Sequence, residues 1–187
     1  MIFDYFRHMK TSIIATGASL KNYDFSKIKG HKIAINYAYK YIDYDMLVAL
    51  DDPKRFGFLQ PKLYTTNYWG KKYGHDLTFK KTKFKGIDRN PGCVGACNGS
   101  LFAAINLALN MGFKTIDIYG ADMAITNCYL HFYSTNPCTT NEANTYKRIF
   151  RRHRSHKELF MSQLLPDEKL NWINPQEEQF FNGVAWF

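Results

Sequence analysis

Apolar runs separated by turn residues open the chain and predict three β-strands. The runs lie at residues 11–15, 32–36 and 46–50, and each is bounded by small or polar residues. Because the runs are apolar on both faces, they are typical of strands that are buried between two layers. The pattern therefore predicts the interior of a sheet that is covered on both sides.

A longer stretch with helical character follows these runs. Residues 101–112 are rich in helix formers, begin after the tripeptide Asn98-Gly99-Ser100 and stop at a glycine, so they predict a helix with a cap at each end. A connection of about two residues leads to an apolar run at residues 115–119, a length typical of an α/β unit. A strand, a helix and a strand in this order predict a parallel sheet.

Weaker patterns fill the rest of the chain. Residues 53–91 hold many aromatic residues among lysines without a sustained period, which predicts short strands and loops beside the sheet. Residues 146–165 favour a helix, and residues 169–173 favour a last short strand. The whole pattern indicates the α/β class: a single Rossmann-like domain over residues 1–187, with a mostly parallel sheet, helices on both faces and a loop-rich aromatic insertion at about residues 53–91.

Composition adds a charge to this picture. The chain has 187 residues, of which 45% are hydrophobic and 17% aromatic, enough apolar surface for one folded domain. Its 25 Lys and Arg against 16 Asp and Glu give a net charge of +9, which favours anionic ligands such as nucleotides, nucleic acid or lipid head groups. No apolar run reaches the roughly 18 residues of a membrane span, and the N-terminus is too polar for a signal peptide. We therefore expect a cytoplasmic protein without a transmembrane segment.

The four cysteines do not have the spacing of a structural zinc site. Cys93 and Cys97 are separated as a zinc-ligand pair would be, but Cys128 and Cys138 stand too far apart to form a second pair. We therefore assign no metal site. The cysteines are interpreted as reduced thiols, as in most intracellular proteins.

Candidate ligand-binding residues follow the first predicted strand, because loops at the carboxyl ends of strands gather around ligands in such sheets. The turn consists of Thr16, Gly17, Ala18 and Ser19. Gly17 would let a phosphate approach the backbone, and Ser19 offers a hydroxyl and an N–H. The alternative is a tight connection from strand to helix that binds nothing.

Polar residues at the ends of two further strands support a ligand site. Asn36 can donate to and accept from a base or a ribose, and an acid of the pair Asp51 and Asp52 can accept from sugar hydroxyls. The alternative is that Asn36 and Asp52 only shape turns. The helix start at residues 98–100 would point the same way, and its dipole favours an anion.

The ordered set of these motifs resembles a known family. The order Thr16-Gly17-Ala18-Ser19-Leu20, Asn36, Asn98-Gly99 and Gly120-Ala121-Asp122 is similar to that of the bacterial sialyltransferases that modify lipooligosaccharide. The wider group of related Rossmann-like domains includes flagellin-modifying enzymes and an archaeal pterin pyrophosphokinase. The resemblance covers residues 11–131.

The resemblance implies a nucleotide-sugar donor and assigns roles to individual residues. It places the phosphates at Gly17, Ala18 and Ser19, a nucleotide contact at Asn36, and Asp122 near the donor or the acceptor. The chain departs from the family at Thr16, where the sialyltransferases commonly have asparagine. It also has alanine at position 124, where they have a tyrosine that assists the leaving phosphate.

A glycosyl transfer needs a base for the acceptor proton, and histidine suits that task at neutral pH. His131 follows the Gly-Ala-Asp turn, and His156 lies in the basic segment 147–157. We prefer His131 as the base, with His156 as the other candidate; a purely structural histidine is the alternative. The predicted catalytic residues are therefore Asp122, His131 and His156.

The predicted activity is glycosyl transfer from a nucleotide-activated sugar to a glycan or nucleic-acid acceptor. Two other functions are compatible with the residues. One is pyrophosphate or nucleotidyl transfer from a nucleoside triphosphate, which would use Mg²⁺. The other is a non-catalytic protein that binds a nucleotide or nucleic acid through the basic segment, which as a helix presents cations over much of its circumference. We expect no cofactor besides the donor, and the chain is compatible with a homo-oligomer.

Overall fold

A computed structural model describes residues 9–56, 62–74, 76–95, 99–125 and 129–175. These residues form one eight-stranded sheet in which every strand is parallel to its neighbours. The strands are β1 (Lys10–Ile14), β2 (His31–Ile35), β3 (Met46–Val48), β4 (Leu63–Thr66), β5 (Thr78–Lys81), β6 (Cys93–Val94), β7 (Thr115–Tyr119) and β8 (Lys169–Ile173). The predicted α/β class and parallel sheet are confirmed.

The strand order places a switch point at β1. The order is β6-β5-β4-β3-β2-β1-β7-β8, so the chain proceeds outward from β1 to β6 and then crosses back to lie on the other side of β1. Ligands of open parallel sheets bind beyond the carboxyl ends of the strands at such a point. The fold therefore directs attention to the loops after β1, β2 and β7.

Helices cover both faces of the sheet, but they differ in kind. The α-helices are α1 (Asn67–Tyr73), α2 (Ser100–Asn110) and α3 (Thr140–Ser162), and short 3-10 helices lie at Ala18–Leu20, Phe25–Lys27, Asn36–Lys40 and Pro53–Phe56. One buried cluster joins Ile13 of β1 to Phe102 of α2 and Phe160 of α3. The other joins Ile14 to Leu20 and Ala38 of the 3-10 helices. Successive residues of β1 thus face opposite layers, as the alternation of a strand requires.

Helix α2 is the central element of the first layer. All of its residues from Ser100 to Leu109 are buried, as expected for a helix that is apolar around its circumference. At its C-terminus Gly112 has a φ of 99°, the N–H of Gly112 donates to the Leu109 carbonyl at 3.0 Å, and that of Phe113 to the Ala108 carbonyl at 3.1 Å. This Schellman motif confirms the predicted glycine stop.

Two segments differ from the sequence prediction. Strands β4 and β5, in the aromatic segment 53–91, lie within the sheet, so the prediction that this segment sits beside it was wrong. Each has only four residues, too few to show a period. Helix α3 begins six residues earlier than residue 146, because Thr139 and Glu142 form a capping box.

Among the described helices, none combines the length and the apolar character that crossing a membrane requires.

Candidate functional site

A cavity of about 410 Å³ opens at the carboxyl edge of the sheet, around the switch point. Its walls come from the residues after β1, β2, β3 and β7, from the start of α2 and from one side of α3. The volume lies within the roughly 300–1,000 Å³ of small-molecule sites. The cavity is thus large enough to be the ligand site of this fold.

The cavity brings together most of the predicted site residues. Those that line it are Thr16, Gly17, Asn36, Asp51, Gly99, Ser100, Asp122 and His131. Those that do not are Ala18, Ser19, Asp52 and His156. Asn98 lies outside the described residues. Loops far apart in sequence therefore converge as the doubly wound topology requires, but some residues take other roles.

The hydroxyl of Ser100 fastens three elements at the floor of the cavity. It donates to the Asn36 side-chain carbonyl at 2.9 Å and accepts from the backbone N–H of Leu50 at 3.0 Å. Asn36 follows β2, and Leu50 follows β3. One buried hydroxyl at the N-terminus of α2 thus holds the ends of two neighbouring strands in place.

Asn36 has a conformation that few other residues tolerate. Its φ is 50°, in the left-handed region that asparagine enters more readily than most side chains. The turn role that the sequence left open is therefore real, yet the side chain also lines the cavity. Strained residues cluster at ligand sites more often than elsewhere. Met123, on the opposite wall, also has a positive φ, of 49°.

The turn after β1 does not present a vacant cradle for a phosphate. The backbone N–H of Ser19 donates to the Asp122 carboxylate at 2.8 Å, and the Ser19 hydroxyl donates to the same carboxylate. Ser19 is only 2% exposed. The carboxylate thus takes the place that the sequence assigned to a phosphate at Ser19, and Ala18 is buried beside it. Asp122 acts here as an anchor for the turn.

Gly17 is required for a different reason from the one the sequence suggested. Its N–H donates to the Gly120 carbonyl at 2.7 Å, and a Cβ at position 17 would collide with that carbonyl and with the Asp122 carboxylate. Its φ of −64° is open to any residue. The missing side chain therefore allows two loops to touch.

The two acids after β3 have separate roles. Asp52 accepts from the backbone N–H of Lys54 at 2.9 Å and from the Tyr73 hydroxyl at 3.2 Å, so it is the turn residue of the alternative interpretation. Asp51 lines the cavity and lies 3.6 Å from the Arg55 guanidinium. That ion pair is exposed, and such pairs contribute little to stability. Asp51 can thus reorient toward a ligand.

His131 and the adjacent Phe132 both contact the backbone carbonyl of Thr16, and these contacts hold His131 at the cavity. Its Nδ1 lies 3.3 Å from the Thr16 carbonyl, and the adjacent N–H of Phe132 donates to the same carbonyl at 3.1 Å. Because a carbonyl only accepts, this bond requires the proton on Nδ1 and leaves the lone pair on Nε2. The structure thus sets the tautomer that a general base needs.

The surroundings of His131 favour its neutral form. Burial lowers the pKa of the imidazole below its ordinary value, against a smaller opposing effect of the Thr16 carbonyl. The ring stacks on Tyr133 at 5.1 Å between centroids, and burial raises the pKa of that phenol to about 12. Tyr133 therefore stays uncharged, and His131 is ready to accept a proton at neutral pH.

His156 is not positioned as a base for this cavity. Its Nδ1 lies 2.8 Å from the Arg152 carbonyl one turn earlier in α3, and its ring packs against Phe102 at 5.3 Å. The side chain does not line the cavity. The structure does not bring the predicted base His156 to the cavity, because the helix directs it to the layer between α2 and α3.

Five cavity residues on α3 were not among the site residues predicted from the sequence. They are Tyr146, Ile149, Phe150, Arg152 and His153. Ile149, Phe150 and His153 follow Tyr146 at i+3, i+4 and i+7 and share its face of the helix, whereas Arg152 at i+6 lies at the edge of that face. Helical periodicity through the basic segment could have grouped the four that share this face. The apolar residues Ile149 and Phe150 mark the side of the segment that turns inward, and both line the cavity.

A first prediction concerns the anchor at Asp122. We expect Asp122→Ala to lower the free energy of unfolding by about 2 kcal/mol, because it leaves the buried Ser19 N–H without its acceptor. Urea unfolding followed by far-ultraviolet circular dichroism measures the change. Ser19→Ala is the matched control, since it removes the hydroxyl bond but keeps the N–H bond, and should cost less. Equal stability of wild type and Asp122→Ala would contradict the anchoring role.

No protein-family model matches the chain, and no curated protein shows significant similarity to it.

Proposed function

We propose that this protein binds a nucleotide-activated sugar in the cavity and transfers the glycosyl group to an acceptor hydroxyl. The observation that carries the proposal is the convergence of Asn36, Asp51, Ser100 and His131 on one cavity at the switch point. These side chains supply hydrogen-bonding groups for a nucleotide and one base of suitable protonation. The resemblance to lipooligosaccharide sialyltransferases supports the same class of reaction.

The phosphates of the donor are assigned to the start of α2 and not to the turn after β1. Asp122 already occupies the Ser19 N–H, and a second anion there would be repelled. The α2 N-terminus has no side-chain cap, so its first N–H groups are suited to an anion. Arg152 and His153 line the cavity on the facing helix, and the Arg152 guanidinium can add positive charge.

The base and the ribose are assigned to the sheet side of the cavity. Asn36 retains its amide N–H₂ as a donor, because its carbonyl accepts from Ser100. Asp51 can accept from sugar hydroxyls. Tyr146 and Phe150 offer apolar ring surface on the opposite wall. This division resembles the usual composition of small-molecule sites, in which apolar walls surround a few polar groups.

In the proposed transfer, His131 is the general base. The Nε2 lone pair takes the proton of the acceptor hydroxyl while the acceptor oxygen forms a bond to the anomeric carbon. The bond from that carbon to the phosphate oxygen breaks, and the departing nucleotide keeps the electron pair. The positive charge of Arg152 would stabilise the developing phosphate charge. His131 then returns its proton to solvent.

Nucleotide binding is the direct test. We expect calorimetry with CMP, UDP, GDP and ADP to detect binding of at least one of them, and Asn36→Ala to weaken it about tenfold by removing one hydrogen-bonded contact. Asn22→Ala is the matched control, because Asn22 also has a positive φ, of 66°, but is exposed away from the cavity. It should bind as the wild type does.

Two outcomes would contradict the proposal. If no nucleotide of the panel binds, the cavity is not a nucleotide site. If a nucleotide binds but only a nucleoside triphosphate is turned over, and turnover stops with EDTA, the reaction is nucleotidyl or pyrophosphate transfer instead.

A further inference from the structure

A second cleft of about 340 Å³ lies beside the cavity and carries several cations. Lys147, Arg151 and Arg154 line it from α3, and Met123, Ala124, Ile125 and Phe150 form the rest of its surface. Positions 147, 151 and 154 follow the i, i+4, i+7 spacing that places side chains on one helix face. The cleft thus concentrates three positive charges on one side.

No acidic residue lines this cleft in the part of the chain that the structure describes. The next residue along the same helix face is Glu158, which lies beyond Arg154 and outside the cleft. Three cations without a lining carboxylate repel one another, so an anion that enters would relieve that repulsion. The charge of the cleft therefore matches a multiply charged ligand.

Arg154 is already held in place. Its guanidinium donates to the Met123 carbonyl at 3.0 Å, and Met123 is the residue with the strained backbone between cavity and cleft. An arginine that is fixed before binding loses less side-chain entropy when it contacts an anion. The guanidinium has further N–H donors that this bond does not use.

The cleft and the cavity share a boundary. Met123, Ala124 and Phe150 line both of them, so a molecule in the cleft lies next to one in the cavity. His131 also belongs to the connection between β7 and α3, as Met123 and Ala124 do, and it lines the cavity. A ligand anchored by its anionic group in the cleft could therefore extend a hydroxyl toward the base.

We propose that this cleft is the acceptor subsite and that it binds the phosphate group of a phosphorylated sugar or alcohol. The three cations lie within about two turns of one helix, a span that suits one phosphorylated group better than a long polyanion, which would follow an extended stripe of charge. The acceptor role rests on the proposed function, whereas phosphate binding in the cleft does not. During transfer the acceptor hydroxyl loses its proton to His131 and forms the new bond to the anomeric carbon, and the acceptor phosphate takes no part in bond making.

Binding of glucose 6-phosphate, with glucose as the neutral reference, tests the subsite. In ligand-observed NMR titrations at low salt, we expect the wild type to bind glucose 6-phosphate at least tenfold more tightly than glucose, and Arg151→Glu to remove that preference. Arg148→Glu is the matched control, since Arg148 is exposed on the same helix but lines neither cleft nor cavity. It changes the net charge equally and should retain the preference.

The remaining outcomes separate this proposal from the proposed function. Loss of glucose 6-phosphate binding in both charge variants alike, or in neither, would overturn the subsite, while nucleotide binding measured in the same samples would still stand. Binding of glucose 6-phosphate through Arg151 without any nucleotide binding would retain the subsite and overturn its acceptor role. Tighter binding of a single-stranded oligonucleotide that needs both Arg148 and Arg151 would overturn the subsite in favour of a nucleic-acid surface.

Discussion

His131→Gln is expected to slow glycosyl transfer by about a thousandfold while leaving nucleotide binding nearly unchanged. Glutamine can keep the contact to the Thr16 carbonyl through its amide N–H₂ but cannot accept a proton from the acceptor. The loss should therefore fall on kcat and not on KM for the donor. Stopped assays of released nucleotide, together with calorimetry, separate the two quantities.

The pH dependence of the wild type gives an independent check on His131. Because burial lowers the pKa of this imidazole below its ordinary value, the base is deprotonated at neutral pH. Activity should then stay level from neutral pH downward, and fall only when the pH passes below the ordinary histidine pKa of about 6.5. In His131→Gln this acid limb should disappear from the residual activity.

His156→Gln is the control for the same experiment. His156 packs between α2 and α3 outside the cavity, so its replacement should leave both the rate and the acid limb as they are. Retention of full activity in His131→Gln, or loss of the acid limb in His156→Gln alone, would contradict the assignment of the base.

Gly17→Val is expected to destabilise the fold by about 3 kcal/mol, the second large effect. A Cβ at position 17 would collide with the Gly120 carbonyl and the Asp122 carboxylate, and both groups are held by hydrogen bonds to the same turn. The first of these is backbone, so it cannot swing aside as a flexible side chain would. Thermal and urea unfolding measure the loss.

A glycine at a different kind of position provides the control for Gly17. Gly30 has a φ of 79°, and a Cβ there would find only the Lys10 carbonyl, at 3.8 Å. Gly30→Ala should therefore cost only about 1 kcal/mol, through backbone strain without collision. A fully stable Gly17→Val protein that fails to bind nucleotide would contradict this account and restore the phosphate role of the turn.

The sequence predicted the central part of the fold because its elements are long and strongly apolar. Strands β1, β2 and β7 and helix α2 were located within one or two residues, and the glycine after α2 predicted its end. The convergence of Asn36, Gly99 and His131 followed from one rule, that the carboxyl ends of parallel strands share an edge. No side-chain detail was needed for that step.

The remaining parts depended on contacts between residues far apart in the chain. Ser19 and Asp122 are 103 positions apart, and nothing local shows that a carboxylate fills the turn after β1. A short polar strand such as β5 becomes part of the sheet only through its neighbours. The face of α3 that meets the cavity is likewise set by packing, through Phe160, which is buried, and Phe150, which packs against the same core.

Helices α2 and α3 both line the cavity, but they differ in how deeply they are buried. Helix α2 is enclosed along nearly its whole length, so almost any change in it would disturb the core. On the cavity side of α3, by contrast, Arg152 is exposed, so its replacement removes little packing. Descendants of this chain could therefore acquire new ligand preferences through substitutions in α3 alone, while Ser100 at the floor of the cavity and His131 are retained.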